Sequence, residues 1–245
     1  MRFSIRAAAV LWAGLGCVGG CAQNDQSLAI VHFVDLNANK CVADPMTMTI
    51  RGRGTLDIAA VQAGLPGYIA APIVQNLLPT DTMTTGIDVN GMFVKGFDIK
   101  ISDSRVPAGY RSFRQPNAAG FVSSGGTSKV AVDVEILPRE AVLGLTGLNL
   151  TKGAAPSGTP IIASVRPVVT RASLELVGAY VDFPIDICDG CVFTNAGTCP
   201  TDAMTMMVVQ PTATPAGLMA CNRAQDLPTE CCAAMGTTYC NGTGM

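Results

Sequence analysis

Thiols are the most reactive groups in this sequence, and they are unevenly placed. Of ten cysteines, Cys17 and Cys21 lie near the start and Cys41 stands alone, while Cys188, Cys191, Cys199, Cys221, Cys231, Cys232 and Cys240 crowd the end. A thiol can carry a lipid, exchange electrons, ligate a soft metal or form a structural bridge. Cys188-Asp189-Gly190-Cys191 has the C-x-x-C spacing of thioredoxin-like oxidoreductases. Those enzymes set the first cysteine at a helix N-terminus, where the dipole stabilises the thiolate. Here Val192-Phe193-Thr194-Asn195-Ala196-Gly197 follows, which does not read as a helix, and further cysteines surround it. Zinc would use thiolate pairs at the same spacing, but the adjacent Cys231 and Cys232 suit it poorly. The cellular compartment decides among these uses.

The first residues point to export. Arg2 and Arg6 form a positive n-region, Ala7 to Leu15 a short apolar h-region, and small residues follow. This is a secretory signal, too short to span a bilayer core of about 30 Å. Val18-Gly19-Gly20-Cys21 places an aliphatic and then two small residues before a cysteine and resembles the bacterial lipobox. At Cys17 the preceding Gly14-Leu15-Gly16 puts the bulky residue one place too late. The lipobox implies cleavage after Gly20, acyl chains on Cys21 and a membrane as partner through that lipid. Each acyl CH₂ buried contributes about 0.8 kcal/mol, so several chains on one residue anchor durably. Residues 21–27 then form a polar tether. Ala22, rather than Asp, follows the cysteine and by analogy with enterobacterial sorting favours the outer membrane.

In an exported chain the later cysteines should oxidise. Eight follow Cys21, which allows four bridges and 105 connectivities. The seven beyond residue 187 cannot all pair among themselves. If all eight are bridged, Cys41 reaches a tail cysteine and staples the tail to the body. Each bridge would contribute about 2–4 kcal/mol. Cys231 and Cys232 would strain if joined to each other. The predicted set of disulfide-forming residues is therefore Cys41, Cys188, Cys191, Cys199, Cys221, Cys231, Cys232 and Cys240, with no metal and no cofactor.

Other chemistry is thin. His32 is the single histidine, and it sits in an apolar run without a G-x-S-x-G elbow anywhere. Asp35-Leu36-Asn37-Ala38-Asn39 imitates the start of a calcium loop. Lys40 then stands where the loop needs glycine and Met46 where it needs glutamate. Met204, Met206 and Met207, with Met46 and Met48, are soft copper ligands by type but read as core filling. Asn149-Leu150-Thr151 and Asn241-Gly242-Thr243 match a glycosylation sequon that carries no meaning in a bacterial lipoprotein. With a net charge of −2 and no basic patch, nucleic acid is not an expected partner. No catalytic residues are assigned.

The elements that must position these residues are strands. Charged residues are 14 % and aromatics 5 % of the chain, so the core must come from Val, Ile, Leu, Ala and Met. Between residues 22 and 183 basic and acidic residues balance at thirteen each, while residues 184–245 carry five acidic residues against Arg223. Ala29 to Val34 is β-branched, and Thr47 to Ile58 alternates polar with apolar. Tyr68 to Val74 is apolar but holds Pro72, which belongs at an edge or bulge. Asn90-Gly91 predicts a turn into a strand that buries Val94, Phe97, Ile99 and Ile101. Ser123 to Thr127 reads as a turn. Val130, Val132, Val134 and Ile136 follow at period two and predict the clearest strand. Pro138 to Leu148 predicts a weak helix, weakened by Gly144 and Gly147. Ile161 to Val169 and Leu174 to Ile187 complete the set. About seven strands without βαβ alternation predict an all-β fold, an immunoglobulin-like antiparallel β-sandwich over 28–187 with a C-terminal disulfide-rich loop region over 188–245. The only tryptophan, Trp12, leaves with the signal (1–20), so no Cys…Trp…Cys core is expected.

Three stretches are informative together: Gly54-Thr55-Leu56-Asp57-Ile58, then Tyr68-Ile69-Ala70-Ala71-Pro72-Ile73-Val74-Gln75-Asn76, then Phe183-Pro184-Ile185-Asp186-Ile187-Cys188-Asp189-Gly190-Cys191 with Cys221, Gln225-Asp226 and Cys231-Cys232. They resemble uncharacterised lipoproteins of myxobacteria and related δ-proteobacteria. The resemblance implies localisation and fold and carries no activity. The expectation is a non-enzymatic outer-membrane lipoprotein with a structural or binding role. Its rival is a lipid-tethered binder of a small ligand or carbohydrate through sandwich loops, which the scarcity of stacking aromatics disfavours.

Overall fold

The computed structural model describes residues 27–36, 43–46, 49–80, 88–116, 120–126, 128–156, 158–198, 225–226, 229–234 and 237–240. Cys17, Cys21, Cys41, Cys199, Cys221 and Met204–Met207 lie outside them, as do the signal and most of the tether. Among the described residues the fold is all-β with two short α-helices.

Two long strands organise the largest sheet. β5 (Met92–Ile101) and β10 (Ile161–Arg171) pair antiparallel along most of their length. Each is too long for one further partner and takes two in succession. On the outer side of β5, β7 (Phe121–Val122) pairs with its start and β6 (Ser112–Pro116) with its later half. On the outer side of β10, β12 (Val181–Cys188) and β11 (Leu174–Val177) do the same, separated by Gly178–Tyr180. β2 (Gly54–Asp57) closes the edge by pairing parallel with β12. The sheet is therefore mixed, not purely antiparallel as the pattern predicts. A parallel pair needs a long crossover, and β2 and β12 stand far apart in the chain.

A three-stranded sheet of β1 (Leu28–Phe33), β4 (Pro72–Asn76) and β8 (Lys129–Ala131) and a ladder of β3 (Tyr68–Ala70) with β9 (Val134–Leu137) bring the second set of apolar side chains. Leu28, Ile30, Phe33, Val74, Val134 and Ile136 join Val94, Phe97, Ile99, Ile101, Ala163, Val165, Phe183 and Ile185 in one buried cluster. Phe183 sits at its centre, with ring centroids 4.6 Å from Phe33 and 5.5 Å from Tyr68. Val94 and Phe97 are three residues apart yet both are buried. A bulge absorbs Lys95, since Gly96 pairs with Val168 and Val94 with Val169.

Several expected elements are shorter or split. Of the alternating run from Thr47, the described residues form a strand only at Gly54–Asp57, and that strand ends where Asp57 caps α1 (Ile58–Gln62) and turns the chain out of the sheet. Pro72 opens β4, a position that needs no N–H, and the break at Ala71 separates β3 from β4. The period-two run Val130 to Ile136 is not one strand. It parts at Val132–Asp133 into β8 and β9, which belong to different sheets. The helix over Pro138 to Leu148 is only α2 (Arg139–Leu143), ended at Gly144. Beyond residue 187 the expected loops include a sheet: β13 (Phe193–Thr198) runs parallel to β14 (Thr229–Ala234), and β15 (Thr237–Cys240) pairs antiparallel with β14.

Phe183 has almost no exposure and bridges the two layers of the core. Phe183→Ala should cost about 3–5 kcal/mol, read as a lowered denaturant midpoint at unchanged slope. A loss below 1 kcal/mol would mean that the core does not close around this ring.

Candidate functional site

Among the described residues, the predicted reactive groups other than Cys188 and Cys191 stand apart. His32 is half-buried on β1 opposite Ile73. Asp35 forms an ion pair with Arg51, and Asn37 to Lys40 of the calcium-loop-like stretch lie outside the described residues. Met46 is largely exposed. Cys188 and Cys191 do converge, on Asp57, and this group and a second around Gln225 and Asp226 lie where the end of the chain meets the body.

Asp57 is the first centre. Its side chain has no exposure, in a sheet edge built otherwise from Gly54, Thr55 and Leu56. Oδ1 accepts from the Ala59 N–H at 2.9 Å and the Gly190 N–H at 2.8 Å, and Oδ2 from the Val192 N–H at 2.8 Å. The carboxylate is thus both the N-cap of α1 and the seat of the turn after β12. That turn is closed by a disulfide between Cys188 and Cys191. The Asp57 carboxylate and the two sulfurs lie within 4.8 Å of one another, a grouping able in principle to hold a metal. With the sulfurs joined, no thiolate is offered, and the carboxylate lobes already face backbone N–H groups. Joined in this way, the C-x-x-C pair closes the turn after β12. Cys232 is also disulfide-bonded.

Gln225 and Asp226 are the second centre. The Gln225 amide mimics a strand residue against β3: Oε1 accepts from the Ile69 N–H at 2.7 Å and Nε2 donates to the Ile69 carbonyl at 2.7 Å. The Asp226 N–H donates to the Thr55 carbonyl at 2.9 Å, and Asp226 Oδ1 accepts from the Thr55 N–H at 2.8 Å. Oδ2 accepts from the Tyr68 hydroxyl at 2.9 Å, and Arg51 stands 3.1 Å from Oδ1. Asp226 adopts φ 64°, a left-handed conformation that aspartate tolerates at modest cost. The Tyr68 ring fills the space above Gly54, where a Cβ would collide with it.

Burial sets the charges here. It raises the Asp226 carboxyl above the usual carboxylate range, against the opposing pull of the Thr55 N–H, Arg51 and Tyr68. Burial and then the Asp226 charge push the Tyr68 phenol well above its ordinary value of 10.0. A raised folded-state pKa means that the folded chain holds a proton the unfolded chain has released. For Tyr68, stability is therefore full below pH 10 and falls as pH rises past it. For Asp226 the same sign applies lower: protonation favours docking, and the contribution declines as pH rises through its raised range.

Elsewhere the polar groups are spread out. On the outer face of the large sheet Asp98 takes both Arg114 and Arg166, with Glu175 on Arg114 and Tyr180 beneath Arg166 and Lys100. Burial pushes Asp98 up, but these guanidinium hydrogen bonds outweigh it and hold the group below its usual range. A cleft of about 180 Å³ is lined by Arg105, Leu148, Asn149, Leu150, Thr159 and Asp186. That is smaller than the roughly 300–1,000 Å³ of typical ligand pockets. No family model, no curated protein and no solved structure matches this chain.

Two outcomes follow. Asp57→Ala removes the cap and strands two N–H groups, at a cost of about 2–4 kcal/mol, and should speed reduction of Cys188–Cys191 by dithiothreitol. Unchanged reduction kinetics would show that Asp57 does not hold the turn. In a spectrophotometric titration, one of the four tyrosines should ionise only well above pH 10 or together with unfolding. Tyr68→Phe should abolish that late step, and its persistence would contradict the burial of this phenol.

Proposed function

We propose that the chain is an outer-membrane lipoprotein anchored through Cys21, with a non-enzymatic structural or binding role, and that it belongs among the uncharacterised lipoproteins its motifs resemble. Its β body is then an immunoglobulin-like sandwich with an added mixed edge, and its tail a disulfide-stapled appendage. The observation that carries the reading is the use of the buried polar groups. Asp57, Asp226, Gln225 and Tyr68 have the chemistry of an active site, yet each directs hydrogen bonds at this chain's own backbone or at one another. They join tail to body. All three stretches that carry the family resemblance contribute: Thr55 and Asp57, Tyr68 and Ile69, and the 188–191 turn with Gln225–Asp226. Disulfides in the turn and at Cys232 fit an oxidising compartment.

Labelled palmitate fed to expressing cells should enter the protein and stay with the membrane fraction, and Cys21→Ser should lose both. Label retained in Cys21→Ser would move the acylation elsewhere and overturn the anchor. Alkylation of the denatured, unreduced mature protein should add no mass. Two or more free thiols with bound zinc would overturn the structural reading of the cysteines.

A further inference from the structure

One end of the β body is unusually apolar for a surface. Phe93 is 54 %, Phe121 45 %, Val89 46 % and Leu174 61 % exposed. Phe93 and Phe121 are neighbours on one face of the sheet; Leu174 lies on the opposite face, and it and Val89 share only the same end of the body. Phe93 and Phe121 pair across β5 and β7 with ring centroids 5.0 Å apart, and the Phe121 ring lies over Gly91. Thr170 is the other cross-strand partner of Phe93, and Arg171 next to it pairs with Leu174 in the hairpin. The Arg171 guanidinium reaches the Val89 carbonyl at 3.4 Å. An exposed aromatic pair, with further apolar side chains at the same end, marks an interaction surface more often than isolated ones do.

The start of the described chain lies at the same end. The Ser27 carbonyl accepts from the Leu77 N–H at 2.9 Å, and Leu28 pairs with Asn76. Asn76 is fully buried, and its amide donates to the Asn90 carbonyl at 2.7 Å and the Val122 carbonyl at 3.3 Å. Ser27 is therefore tied through Asn76 to the residues beside Val89 and Phe121. The opposite end of the body, past Ile101, lies about 30 Å away along β5 at a rise of about 3.3 Å per residue. Five residues lie between Cys21 and Ser27, and the six steps they make, at about 3.3–3.6 Å each, span at most about 22 Å. An acylated Cys21 thus holds this end, and not the far one, against the lipid.

The nearby charges suit such a surface. Lys95 is exposed on the same strand as Phe93, and Arg171 stands at the rim. The acidic neighbours are engaged: Asp88 with the Ser124 N–H and hydroxyl, Glu175 with Arg114. Apolar side chains ringed by cations bind the boundary between headgroups and acyl chains.

We propose that the end carrying Val89, Phe93, Phe121 and Leu174 seats on the lipid surface to which Cys21 is anchored, so that the body stands on the membrane in one orientation with α2 and the Ala108–Tyr110 turn pointing away. This rests on the anchor reading above and adds a membrane-contact site distinct from the lipid itself.

The mature chain lacks tryptophan, so single reporters are clean. Phe93→Trp and Phe121→Trp report the proposed face, and Leu143→Trp on α2 reports the far end. The acylated proteins are placed on phosphatidylethanolamine–phosphatidylglycerol vesicles containing lipids brominated in the acyl chain. A second arm replaces Cys21 with a hexahistidine segment on nickel-chelating lipids of the same composition and needs no acylation. In both arms, emission from positions 93 and 121 should shift to the blue and fall by roughly half, because a side chain seated ~5–10 Å into the boundary meets the bromines, while position 143 is unchanged. Equal quenching at all three positions, or at none, overturns the orientation. A blue shift without vesicles that grows with protein concentration places a second copy on the face and also overturns it. Acylation without face-specific quenching sinks this inference alone. Quenching in the tagged arm, together with failure of the chain that keeps Cys21 to take up palmitate there, sinks the anchor and leaves the seating face standing.

Discussion

A carboxylate buried at the edge of an apolar sheet is the constraint on which the rest depends. Removing such a group from water costs several kcal/mol unless hydrogen bonds replace the lost hydration. Asp57 receives them from three backbone N–H groups in two places, the first turn of α1 and the turn after β12. Neither place can move without stranding the charge. The result is a coupling between β2 and the beginning of the tail that no apolar residue of that size would provide. The disulfide from Cys188 to Cys191 then fixes the shape of the segment that the carboxylate grips. The bridge limits the turn, and the carboxylate decides where the turn sits.

Asp226 repeats the same device from the other direction. There the tail brings the acid and the body supplies the donors, the Thr55 N–H, the Tyr68 hydroxyl and Arg51. Thr55 and Asp57 lie on one short strand, so β2 is gripped by tail residues from both sides of its ladder. This explains a weak-looking element. A four-residue edge strand paired only in parallel would be marginal by itself, and its stability comes from the two acids and the Gln225 amide lying along it. An exposed edge, which invites pairing with other chains, is covered in the same stroke.

Much of the body was legible in the sequence because its cause is local. β-branched alternation placed β1, β5, β10 and β12, and Asn90-Gly91 located the turn before β5. Where the reading failed, the cause lay in the other layer. Val130 to Ile136 keeps perfect alternation, but a sheet boundary crosses it, and alternation says only which face is buried, not against which sheet. The parallel β2–β12 pair and the tail sheet depend on long-range pairing that no local pattern encodes. Of the candidate site, Cys188 and Cys191 were visible as thiols, and Gln225-Asp226 as a motif without a reason. Asp57 looked like one more polar residue in an alternating strand. The sign that it caps a helix, an acid just before Ile58-Ala59-Ala60-Val61-Gln62, was present but outweighed by the alternation on its other side.

The most direct test is native-state hydrogen exchange at the Thr55, Gly190 and Val192 amides. These N–H groups bond to side-chain carboxylates and not to a sheet neighbour, so ordinary turn residues in their place would exchange freely. If the two acids hold tail and body together, these amides should share the high protection of central amides in β10 and open in the same cooperative step. Exchange of Gly190 and Val192 at the rate of an unstructured loop, with β10 still protected, would contradict the account.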